Sequence, residues 1–157
     1  MLLSKLINKK FNCISRAIDM LCLFIGEDYT FVSERGKNID VAEYSLHFQT
    51  QWRFREKETI LLASRDIYIP YNEDVPDDWD FDVIGRPDDL SSVFDVQKKF
   101  VEQKMQGAYV SKCYLTESKD LVVEFSNGII FEQFTPTSKS DEEWRLIDYK
   151  LNQHEVF

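Results

Sequence analysis

Twelve consecutive residues, Tyr44 to Arg55 (YSLHFQTQWRFR), alternate bulky and polar side chains almost without a break. Tyr44, Leu46, Phe48, Trp52 and Phe54 form one row. Ser45, His47, Gln49, Gln51, Arg53 and Arg55 form the other. Only an extended strand, whose side chains point alternately to opposite faces, puts each row on one side. The pattern therefore predicts an antiparallel strand with a dry face and a second, polar face.

MLCLFIG at 20–26 is a continuous apolar run and predicts a buried strand, preceded by a helical turn or two over Ile14 to Met20. TILLASRDIYIP at 59–70 predicts the returning strand of a hairpin, stopped by Pro70. Leu90 to Gln106 predicts one long helix, with Leu90, Val93, Phe94, Val96, Phe100, Val101 and Met105 on one half of the wheel. Asp89 or Ser91 can cap its start and Gly107 ends it. AYVSKCYLT, DLVVEF and GIIFEQF follow as strands, the last two joined by Ser126-Asn127-Gly128, which predicts a type I′ hairpin turn. WRLIDYKL predicts a final strand, leaving His154 in a C-terminal tail. The expected fold is α+β: an antiparallel sheet of about six or seven strands packed against one long helix, in a single domain over 1–157. The expected core includes Leu46, Phe48, Trp52, Phe100, Phe125, Phe131 and Trp144.

Charge divides the chain unevenly. Residues 71–89 (YNEDVPDDWDFDVIGRPDD) hold eight acidic residues against Arg86 alone, so this segment carries −7 of the net −9. Two prolines and a glycine mark it as a loop. A net charge of −9 argues against nucleic acid or an anionic membrane as partner, and for a basic protein partner or none. A homodimer is compatible with the composition. The opening MLLSKLINKK lacks the long apolar run of a signal peptide, and no stretch has the ~18 apolar residues of a membrane-crossing helix. A cytoplasmic address is the expectation.

Few residues have the spacing of known chemistry. Cys13, Cys22 and Cys113 form no CxxC, which suits reduced, buried thiols. His47 and His154 have no zinc-ligand spacing, and neither a nucleophile elbow nor a glycine-rich phosphate loop occurs. No catalytic residue, metal or cofactor is expected. Asp78, Asp80 and Asp82 match the ligand spacing of a calcium loop, but Val83 stands where the loop needs Gly and Pro87 intrudes. The primary candidate site is therefore a protein-docking loop made of Asp77, Asp78, Trp79, Asp80, Phe81 and Asp82, with carboxylates to steer a partner and aromatics to hold it. The alternative is a polar site of His47, Gln49, Arg53 and Asp66, with His47, Arg53 and Asp66 lining a pocket in a cone-shaped α+β domain that binds or converts a small molecule.

LHFQTQWRF, SRDIYIP and FSNGIIFEQFTPTSKSDEEWRLI together resemble a family of small uncharacterised bacterial proteins. That family carries a His-x-Gln-x-x-Trp-Arg strand, a following Ser-x-Asp strand and a C-terminal Asn/Asp-Gly…Glu-x-Phe…Asp-Glu-x-Trp-Arg block. The matching positions are His47, Gln49, Trp52, Arg53, Ser64, Asp66, Gly128, Glu132, Phe134, Glu142, Trp144 and Arg145. Gln51 departs from the small residue usual there. The resemblance implies little about activity. In size and style such proteins are similar to immunity proteins of bacterial toxin systems, an analogy that points to a non-enzymatic role.

Overall fold

A computed structural model describes residues 1–139 and 141–157. The fold is α+β, with ten strands in two antiparallel sheets and one α-helix among the described residues. The first sheet has the order β1-β2-β3-β9-β10: Phe11–Ala17, Met20–Val32, Asn38–Phe48, Trp144–Asp148 and Gln153–Val156. The second has the order β5-β4-β8-β7-β6: Thr59–Ala63, Gln51–Glu56, Ile129–Phe134, Leu121–Phe125 and Val110–Leu115. Helix α1 spans Val93–Met105.

The single sheet of six or seven strands on one helix is thus corrected to two five-stranded sheets. The cause lies inside the opening motif. Gln49 and Thr50 bend the chain, so Tyr44–Phe48 ends β3 in one sheet and Gln51–Arg55 lies in β4 of the other. Thr50 Oγ1 ties the bend down by donating to the Phe134 carbonyl at 2.7 Å. Because the bend takes two residues, the alternation stays in phase across it. Phe48 and Trp52 consequently face the same core from different sheets, both within 6.3 Å of the Phe131 ring centroid.

Leu46, Phe48, Trp52, Phe125, Phe131 and Trp144 are buried in one continuous core. Phe100 is not; it is 54% exposed. Helix α1 buries a narrower stripe than its composition suggests, through Phe94, Val96, Val101 and Met105. The polar flank of that stripe covers the edge of β1. Glu102 accepts from the Ile14 N–H at 2.8 Å and Lys98 donates to the Ile14 carbonyl at 3.2 Å. An edge strand otherwise exposes such groups as a template for other chains, so helical side chains blunt it here. Ser92, not Asp89 or Ser91, caps the helix by accepting from the Asp95 N–H at 3.2 Å.

Four local expectations change. Residues 14–17 belong to strand β1 rather than a helical turn, and Ile18, at φ 59°, turns the chain into β2. The segment after Ala63 leaves the sheet as a 3-10 helix, Ser64–Tyr68, because Asp66 turns back to accept from the Ala63 N–H at 2.8 Å. At Ser126-Asn127-Gly128 only Gly128 has positive φ, +88°, so the turn is not type I′. His154 lies in strand β10, paired with Ile147, not in a loose tail.

Candidate functional site

The acidic segment leaves and rejoins the body through a closed neck. The Tyr71 N–H donates to the Ser91 carbonyl at 2.9 Å, and the Val93 N–H to the Ile69 carbonyl at 2.8 Å. Between them the loop is fixed by its own aromatics. Trp79 is half-buried and its Nε1–H donates to the Leu90 carbonyl at 2.8 Å. Phe81 is half-buried and meets the Tyr68 ring edge-on at 4.7 Å. These side chains hold the loop to the body.

Two arginines complete the frame. Arg16, from β1, donates to the Phe81 carbonyl at 2.6 Å while its guanidinium also forks onto Asp95 of α1. Arg86 lies over the Trp79 ring at 5.7 Å and donates to the Val83 carbonyl at 3.3 Å and to the Asp80 carbonyl. The segment's sole cation is thus turned onto backbone and an indole. Among the described residues, no ion pair reaches Asp77, Asp78, Asp80 or Asp82, and all four are exposed. Asp88 differs, because Lys99 reaches it at 2.6 Å. Asp80 also accepts from the Asp82 N–H at 3.0 Å, which orders the tip. Among the described residues no group of three or more His, Cys, Asp or Glu is placed to hold a metal ion.

The alternative residues are drawn to separate partners. His47 is on β3 opposite Arg145 of β9. Burial, then the Arg145 charge, lowers its pKa below the usual histidine value. Gln49 is exposed at the bend. Arg53, on the second sheet, donates to Glu132 at 2.7 Å, and Arg55 donates to the same carboxylate at 2.9 Å. Arg53 also lies 4.9 Å from the Phe134 ring. Asp66 is spent on the Ala63 N–H, and burial raises its pKa against that bond. His47 and Gln49 border an open hollow of about 410 Å³ with Glu142, Trp144 and Arg145, which neither Arg53 nor Asp66 lines.

The polar row of the opening motif is not simply a wet surface, since Ser45 is fully buried and His47 half-buried. The thiols are poor nucleophiles: burial pushes Cys22 up to about 11 and Cys113 up to about 12. Sequence reading missed Arg16, which joins β1, α1 and the acidic loop. Its only signal was a charged residue beside an apolar run. Among the described residues no helix is long and apolar enough to cross a membrane. Comparison with protein-family models, with curated proteins and with solved structures returned no match.

Proposed function

We propose that this chain is a non-enzymatic binding protein that engages a basic protein through the acidic segment, centred on Asp77, Asp78, Asp80 and Asp82. The role that suits it is cytoplasmic and immunity-like: masking a cationic surface on a bacterial toxin or comparable partner. One observation carries the reading. Four exposed carboxylates with no ion pair among the described residues stand on a loop whose backbone is already fixed by Trp79, Phe81, Arg16 and Arg86. A preordered loop loses little conformational freedom on binding, so more of the contact energy remains. Concentrated negative charge speeds encounter with a cationic partner. Because Trp79 and Phe81 are held inward, the apolar contact falls to Val83 and Ile84, 48% and 54% exposed on the same segment. The pocket reading has less support, because His47, Arg53 and Asp66 serve different neighbours.

The test is paired capture from the source cell with the parent chain and a D77N/D78N/D80N/D82N variant. A partner retained by the parent and lost by the variant is expected. Equal retention by both overturns the reading and returns attention to His47 and Arg145.

A further inference from the structure

The longest hairpin of the fold runs beyond its neighbours. Strand β1 pairs with β2 only as far as Phe11 opposite Ile25, with one further bond from the Gly26 N–H to the Lys10 carbonyl and side-chain bonds from Asn12 Nδ2 to the Gly26 carbonyl and to Asp28 Oδ1 at 2.8 Å, which leave the Asp28 backbone groups unpaired on that side. Strand β9 pairs with β3 only as far as Asp148 opposite Tyr44, with one further bond from the Tyr149 N–H to the Glu43 carbonyl. Past those points β2 and β3 continue as a two-stranded ribbon, Asp28 opposite Ala42 through Val32 opposite Asn38. Among the described residues neither edge of this ribbon has a third strand.

We propose that the chain self-associates through the outer edge of β2, residues 28–32, pairing antiparallel with the same edge of a second copy about a two-fold axis at Thr30. The proposal is independent of the acidic-loop reading.

The hydrogen-bond phase supplies the first argument. The Ser33 N–H donates to the Lys37 carbonyl, which fixes which residues bond across the hairpin. By the alternation of antiparallel ladders, Phe31 and Tyr29 direct their backbone groups to β3, while Val32, Thr30 and Asp28 direct theirs outward. Pairing two such edges at Thr30 satisfies about six backbone groups on each copy in reciprocal pairs.

Self-complementarity supplies the second. In this register Thr30 meets Thr30, Tyr29 meets Phe31, and Asp28 meets Val32 of the other copy. No two carboxylates stand opposite, aromatic rings are matched, and Val32, now 59% exposed, gains cover. The β3 edge lacks this property. Its outward residues are Asn38, Asp40 and Ala42, and a two-fold there sets Asp40 against Asp40. Each copy carries a net −9, so screening favours the dimer, and self-association strengthens as salt rises.

Sedimentation velocity of the full chain over concentration and salt tests this with two variants at exposed positions. Val32→Glu sets a new carboxylate against Asp28 of the other copy, once on each side of the axis, and should weaken the dimer about tenfold. Val32→Glu combined with Asp28→Lys restores opposite charges across the axis and should return the dimer. A parent chain monomeric into the millimolar range, a V32E chain that associates like the parent, or a double variant without rescue each overturns the proposal.

Discussion

Arg16 and Asp95 meet fork to fork, Nε to Oδ1 at 2.9 Å and Nη2 to Oδ2 at 2.8 Å, with the Arg16 side chain only 1% exposed. The pair locks β1 to the first turn of α1. The same guanidinium also donates to the carbonyls of Ile18 and Phe81, each at 2.6 Å. One buried cation therefore joins the helix, the β1–β2 turn and the acidic loop. Burial alone would raise the Asp95 pKa, but the hydrogen bonds and charge of Arg16 outweigh it and hold it below the usual value.

Arg16→Met removes the cation and leaves Asp95 and two carbonyls without it. Truncating one partner of a buried pair typically costs roughly 3–5 kcal/mol. Urea unfolding should register a loss of that order, and amide exchange should quicken around Phe81. A variant as stable as the parent, with unchanged exchange in the loop, would contradict the role given to Arg16.

Glu43 predicts an acid-sensitive joint. Its side chain is 6% exposed and accepts from Lys150 at 2.5 Å and Lys9 at 3.0 Å. Burial pushes its pKa up, yet the bonds from Lys150, Lys9 and the Glu27 N–H hold it at about 2, against 4.5 unperturbed. A folded pKa below the unfolded one gives stability that is complete above about pH 4.5 and lost as pH falls toward 2. The contribution at neutral pH is about 2–3 kcal/mol. Unfolding free energy measured against pH should show the parent exceeding Glu43→Gln at pH 7, with the difference closing in that window. A gap independent of pH would show that the carboxylate charge is not what stabilises the joint.

Two glycines separate strain from crowding. Gly26 and Gly128 have φ of +97° and +88°, so alanine is strained at both. A Cβ at Gly26 would also lie 2.6 Å from Glu43 Oε2 and 2.9 Å from Glu43 Cβ, whereas at Gly128 nothing lies within 4 Å. Gly128→Ala should cost about 1–2 kcal/mol and Gly26→Ala more, by denaturant melts. Equal losses would mean that Glu43 yields freely.

The in-phase bend at Gln49 and Thr50 shows what the sequence could and could not reveal. Alternation told correctly that the bulky row is dry, and Leu46, Phe48, Trp52 and Phe54 are buried as it requires, but it did not reveal that Ser45 on the other row is buried too. It could not tell one long strand from two, because a two-residue bend preserves the period. Phe100 fails for a related reason. The helical wheel shows which residues share a face, but the width of that face in contact depends on what it covers. The acidic segment was legible from charge and from its prolines. That Trp79 points inward was not, because the carbonyl receiving its N–H belongs to Leu90, eleven residues along the chain, and no local spacing pairs the two.

Trp79→Phe isolates that bond. The ring is kept and the donor to Leu90 is lost, a change of about 1 kcal/mol. Limited proteolysis should cut within 73–89 faster in the variant, while the global midpoint moves little. Unchanged cleavage would show that the indole bond does not order the loop.

Association kinetics with the captured partner test the central claim most directly. The observable is the on-rate of the parent and of D77N/D78N/D80N/D82N as ionic strength rises. Screening contracts the reach of exposed charge to ~8 Å at physiological ionic strength. The account predicts a parent on-rate that falls steeply with salt and a variant that starts lower and is nearly flat. Parent and variant on-rates that coincide at every salt concentration would contradict it.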